Sequence, residues 1–141
     1  MTTMIGACRR AVRVLAVLGL AAWVMPAIAQ DSAPETHPPG PKGGVLADAG
    51  AFHVEIMFKG GVMLTYLYDS ENRPVPAKDV KASATVLAKG RQFRVTLAPS
   101  GPNELKGEAK LPADPEAKSI VILDIPGQRR LQARFVAPTS Q

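Results

Sequence analysis

Residues 52–68 read FHVEIMFKGGVMLTYLY, and this stretch decides the fold. Apolar residues at 52, 54, 56 and 58 alternate with His53, Glu55 and Met57, which is the period of a half-buried β-strand. The next residues, 59–61, are Lys-Gly-Gly, which is typical of a tight turn. Residues 62–68 are rich in the branched and aromatic side chains that favour strands. The stretch therefore predicts a β-hairpin with one apolar face in the core.

The rest of the chain also consists of short predicted strands separated by turns. Further strands are predicted at Val80–Leu87, Arg91–Leu97, Glu104–Leu111, Ser119–Ile125 and Arg129–Val136, with an additional short one at Val45–Ala47. Their spacing of about 8–14 residues, with no helical stretch, predicts an all-β fold. We expect an antiparallel β-sandwich, immunoglobulin-like or a small barrel, with seven to eight strands over residues 45–136. Residues 137–141 form a short tail.

The N-terminus has the pattern of a cleaved export signal over residues 1–29. Three arginines precede an apolar run from Val14 to Met25, and Ala27-Ile28-Ala29 is a small-x-small cleavage pattern. The apolar run is too short for a membrane anchor, which needs about 20 residues. We therefore expect a periplasmic protein with no membrane span after leader cleavage. Cys8, the only cysteine, leaves with the leader, so the mature chain has neither a disulfide nor a thiolate site.

Charge and composition narrow the class of partner. Of 17 basic residues three lie in the leader, so 14 remain against 12 acidic ones. No Lys/Arg-rich run remains, which argues against nucleic acid. Residues 30–44 hold four prolines and three glycines and almost nothing apolar, which predicts a flexible arm. His37, in this arm, is a lesser candidate ligand.

The candidate metal ligands lie on the predicted hairpin. His53, Glu55 and Met57 share one strand face. A two-residue turn at Gly60-Gly61 would put Leu64, Tyr66 and Tyr68 on that face. A three-residue turn would instead place Met63 and Thr65 there. In that second register an imidazole, a carboxylate and two thioethers would suit copper better than zinc.

Catalytic motifs are not found. The sequence contains no G-x-S-x-G, no H-E-x-x-H and no phosphate-binding glycine loop, so we expect a protein that is not an enzyme. Arg129, Arg130 and Arg134 make the last predicted hairpin basic. These arginines are interpreted either as a solvated edge that discourages aggregation or as a surface for an acidic partner.

Several short motifs suggest a family. Residues 43–55 resemble the start of small exported bacterial proteins associated with heavy-metal efflux systems. They are similar as well to a β-rich segment of periplasmic efflux adaptor subunits. The likeness continues through residues 66–69, 73–75 and 132–135 and covers about residues 42–136. In that family a histidine commonly precedes the Gly-Gly pair, where this chain has Lys42, so the resemblance carries over His53 and Glu55.

These patterns lead to two hypotheses for the function. The first is a non-catalytic periplasmic accessory protein of metal homeostasis or efflux. It would bind copper or another transition metal ion, or dock onto an envelope efflux component. The alternative is a structural or protein-interaction module of the envelope with no ligand, which would use its sheet edges and the basic last hairpin.

Overall fold

A computed structural model describes residues 38–137 of the chain. The predicted signal peptide, most of the predicted arm including His37, and the last four residues lie outside the described residues. Eight strands are formed: β1 (Val45–Ala49), β2 (Phe52–Lys59), β3 (Val62–Asp69), β4 (Lys81–Ala88), β5 (Arg91–Pro99), β6 (Glu104–Glu108), β7 (Lys118–Asp124) and β8 (Leu131–Val136). The described residues contain no helix, and therefore none that could cross a membrane. The all-β prediction is confirmed, including the additional short first strand.

The strands form one antiparallel sheet in the order β1-β2-β3-β6-β5-β4-β7-β8. Strand β5 connects the two halves of the sheet. Most of β5 pairs with β4, whereas Ala98 and Pro99 at its end pair with β6. The first and last strands, β1 and β8, lie against each other. The sheet is therefore nearly closed on itself, which agrees with the predicted sandwich or small barrel.

The register of the β2–β3 hairpin decides between the two predicted turns. Lys59 pairs with Val62, so the connection is the two-residue turn Gly60-Gly61. Both glycines have positive φ, 58° and 77°, as a type I′ turn requires. The two-residue register is thus confirmed, and the three-residue alternative is wrong.

The core lies inside the sheet and is built from the inward half of each strand. Its largest fully buried apolar side chains are Ile56, Met63, Leu67, Leu105, Leu123, Val54, Val86, Val95 and Val121. A second, smaller cluster lies on the other face of the first strands, where Leu46, Tyr66 and Tyr68 pack with Met57 and Leu64. Strands β2 and β3 are therefore covered on both faces.

Candidate functional site

The hairpin register separates the four predicted metal ligands. His53, Glu55 and Met57 share the outer face of β2 with their cross-strand partners Tyr68, Tyr66 and Leu64 on β3. Met63 points the other way and is fully buried in the main core. Since side chains alternate between faces along a strand, Met63 cannot join the other three, and the set with two thioethers is not assembled.

Glu55 is unusual for a charged residue on the outer face of a strand, because its exposure is 0%. Its oxygens accept the backbone N–H of Lys42 at 2.9 and 3.1 Å and that of Gly44 at 2.6 Å. They also accept the hydroxyl of Tyr68 at 3.0 Å. A buried carboxylate needs such donors, and here they come from two separate parts of the chain. These bonds give Glu55 a structural role.

The donors belong to a turn that we call the strap, residues 40–44. The strap is closed by hydrogen bonds from Gly40 N to Gly44 O at 2.9 Å and from Gly43 N to Gly40 O at 2.8 Å. Gly40 lies directly on the carboxylate, since a Cβ there would come within 2.6 and 2.7 Å of the Glu55 oxygens. The sequence predicts a flexible arm through residue 44; the structure differs, because residues 40–44 form this turn on Glu55.

Two tyrosines complete this side of the sheet. Burial, and then the hydrogen bond to Glu55, raises the pKa of Tyr68 to about 12. Burial, and then the neighbouring carboxylate of Glu104, raises the pKa of Tyr66 to about 12. The ammonium of Lys42 lies 5.8 Å from the centre of the Tyr66 ring, within range of a cation–π contact. The tyrosines therefore remain neutral at physiological pH, and Tyr68 acts as a donor.

His53 sits beside the strap-covered region with oxygen atoms next to both ring nitrogens. Its Nε2 lies 3.2 Å from Oδ1 of Asp48, its cross-strand neighbour on β1. Its Nδ1 lies 2.8 Å from Oδ1 of Asn72 in the loop after β3. The side chains of His53 and Asp48 are 25% and 49% exposed, so solvent reaches the pair. Among residues 38–137, no three or more His, Cys, Asp or Glu side chains are grouped so that they could hold a metal ion.

The three arginines that make the last predicted hairpin basic do not form one cluster. Arg130 binds Asp124 through Nε–Oδ1 and Nη2–Oδ2 contacts of 2.9 and 3.2 Å. This pair lowers the pKa of the Asp124 carboxyl and raises that of the Arg130 guanidinium. Arg129 is exposed in the loop before β8, whereas Arg134 is an exposed residue of β8 itself. Only Arg134 therefore stands on a sheet face.

That sheet face, which we call the open face, is the outer side of β5, β4, β7 and β8. Strand register aligns Arg94, Thr85, Ile120 and Arg134 in one row across the four strands. The next row holds Gln92, Leu87, Lys118 and Val136. At one end, a shallow depression of about 250 Å³ is lined by Lys81, Ala82, Ser83, Ile122, Asp124 and Arg130.

The aliphatic residues of the open face were missed by the sequence reasoning. Leu87, Ile120 and Val136 are 42%, 38% and 45% exposed, and they are the large exposed hydrophobic residues of the described part of the chain. The available signal was their parity: each stands at a position where its strand alternation calls for a polar side chain. An aliphatic residue at such a position indicates a surface that contacts something else.

Comparisons with protein-family models, with curated proteins and with solved structures found no match for the chain. The function must therefore be argued from the surfaces and side chains described above.

Proposed function

We propose that this protein is a non-catalytic binding domain of the cell envelope that docks another protein on its open face. The observation that carries the proposal is the group of three half-exposed aliphatic side chains, Leu87, Ile120 and Val136, on the outer face of β4, β7 and β8. Interfaces combine such apolar groups with arginine, and the open face carries both. The envelope location rests on the leader pattern of residues 1–29.

The outer face of β1, β2 and β3 also supports a non-catalytic role. The oxygens of its buried carboxylate, Glu55, accept hydrogen bonds from the strap and from Tyr68. Its imidazole, His53, lies within hydrogen-bond distance of Asp48 and Asn72. These polar groups stabilise the fold of the first three strands, so the open face is the better candidate for function.

Site-specific photo-crosslinking tests the proposal in cells that express the protein naturally. A benzophenone amino acid replaces Ile120 on the open face, and a matched variant carries it at the exposed Lys59 at the end of β2. We expect one discrete adduct from position 120 and none of that mass from position 59. No adduct at 120, or the same adduct from both positions, would overturn the proposal.

A second candidate is metal binding, because His53 and Asp48 form a solvent-accessible imidazole–carboxylate pair with the amide oxygen of Asn72 beside it. Such a set could hold a divalent transition-metal ion as cargo in metal homeostasis or efflux, and without the thioethers it does not favour copper over zinc. Calorimetric titration of residues 30–141 with Cu(I), Cu(II) and Zn(II) tests it. Sub-micromolar binding at one equivalent that is lost in His53→Ala, and kept in the core variant Met63→Leu, supports this candidate. Equal binding by parent and His53→Ala removes it.

A further inference from the structure

We infer that the partner of the open face is a protein surface whose carboxylates flank a small apolar patch, so that its acidic groups meet Arg94 and Arg134 while the patch covers Ile120. This inference rests on the proposed function, because it names the chemistry of the partner at the same face. Three features of the open face favour such a partner: its charge, its shape and the spacing of its arginines.

Positive charge predominates on the open face. Its outward positions include Arg94, Lys118 and Arg134, all exposed. On the outward positions of these four strands Asp124 is the one carboxylate, and Arg130 already engages both of its oxygens. Three cations therefore lie on this face without a carboxylate of the same face to oppose them. Guanidinium groups bind carboxylates in a two-point geometry, so an acidic partner fits them.

The side chains of the open face favour a protein partner over a membrane surface. The outward positions of its four strands carry no aromatic side chain, because Phe93 faces inward and is half-buried. Leu87, Ile120 and Val136 point outward from the sheet, and more than half of each residue is covered by its neighbours. Exposed aromatic side chains favour peripheral membrane binding, and the outward positions of this face carry none. The small apolar patch of a protein partner can cover these three side chains.

The spacing of the arginines argues against a second copy of this chain. Arg94 and Arg134 lie at the two ends of one row and Lys118 lies in the next row. With strands about 4.8 Å apart, the row spans about 14 Å from Arg94 to Arg134. Two such faces stacked on each other would bring cations against cations, which is unfavourable at this range. Carboxylates four residues apart on an extended segment would match the row, since that separation is about 13 Å.

The experiment uses residues 30–141 and three probes: a random copolymer of glutamate and tyrosine, poly-glutamate, and vesicles of 30% phosphatidylglycerol in phosphatidylcholine. We expect the copolymer to bind most tightly. The double variant Arg94→Glu/Arg134→Glu should weaken that binding at least about tenfold, as for removal of two opposed charge pairs. The matched double variant Lys59→Glu/Lys110→Glu, with both exposed lysines near the β2–β3 turn and away from the open face, should change it less than about twofold.

Three results would overturn the inference. One is equal weakening by the two double variants, which would show that net charge alone decides binding. Another is preference for the vesicles over the copolymer. The third separates this inference from the proposed function: in the crosslinking assay, an Ile120 adduct that persists undiminished in Arg94→Gln/Arg134→Gln would show docking without the arginines. Absence of that adduct from the parent protein would overturn the docking function itself.

Discussion

The buried carboxylate of Glu55 gives the sharpest test of how this fold is held together. In Glu55→Ala the hydroxyl of Tyr68 and the N–H of Gly44, both buried, lose their acceptor, while the N–H of Lys42 belongs to an exposed residue and can turn to water. Each buried donor left without an acceptor destabilises the fold by about 1–3 kcal/mol, so the free energy of unfolding should fall by about 3–4 kcal/mol.

A graded series of variants separates the contribution of each hydrogen bond to Glu55. Glu55→Gln keeps the volume and one acceptor oxygen, so it should cost about 1–2 kcal/mol. Tyr68→Phe removes one bond to the carboxylate and should cost about 1.5 kcal/mol. Because both changes affect the same bond, the double variant should cost less than the sum of the two, with a coupling of about 0.5–1.5 kcal/mol. The exposed Glu108→Ala is the matched control and should change stability by less than about 0.5 kcal/mol.

Urea denaturation of residues 30–141, followed by far-ultraviolet circular dichroism, measures all of these changes. A loss below about 1 kcal/mol in Glu55→Ala would refute the argument, because the strap would then add little to stability. Equal losses in Glu55→Ala and Glu55→Gln, with no coupling to Tyr68→Phe, would refute it in another way. They would show that the side-chain volume, and not the hydrogen bonds, is what matters.

Three further outcomes follow from the structure. Tyr66 and Tyr68, the only tyrosines, have pKa values raised to about 12, so alkaline titration at 295 nm should show no tyrosinate near pH 10 in the folded protein. Unfolded tyrosines ionise near pH 10, so stability should be full below pH 10 and fall between pH 10 and 12; a folded-state midpoint near 10 would contradict this. The hydroxyl of Thr65 is buried without a hydrogen-bond partner, so Thr65→Val should raise the urea midpoint, equivalent to about 1 kcal/mol, and a decrease would show that the hydroxyl is satisfied after all. A Cβ at Gly107 would collide with the carbonyl oxygen of Thr96 on β5, so Gly107→Ala should lower the melting temperature by roughly 8 °C or more, the equivalent of about 2 kcal/mol; an unchanged melting temperature would mean that β5 and β6 can separate freely.

The hairpin shows how far alternation alone can predict a fold. The pattern of residues 52–58 identified the inward face of β2, and its Val54, Ile56 and Phe58 are indeed buried. The same alternation left the turn open between two registers, and only the preference of paired glycines for a type I′ turn favoured the one observed. Because of this register, Met63 lies in the core. The alternation of residues along the strand could not predict that position without the geometry of the turn.

Glu55 shows what local patterns cannot predict. Its parity places it with polar outward residues, and nothing within the strand indicates that it is buried. The cover comes from residues 40–44, a Gly/Pro-rich segment with almost no apolar side chain, which docks through backbone N–H groups. Backbone donors are the same for every residue type, so a composition-based argument has no signal for them. The insertion of β6 between β3 and β5 is likewise a long-range pairing that no local pattern shows.

The even number of strands has a consequence for how the chain could be reconnected. Directions alternate at every step of the sheet, so β8 runs opposite to β1 where the two lie together. Val45 and Val136 therefore stand at the same end of the sheet. Joining Ala137 to Pro38 by a short flexible linker, and opening the chain in the exposed loop at Gly127, gives a circular permutant with every strand pair retained. In that permutant β8 would be made first by the ribosome, yet the finished domain should have the same core, strap and open face.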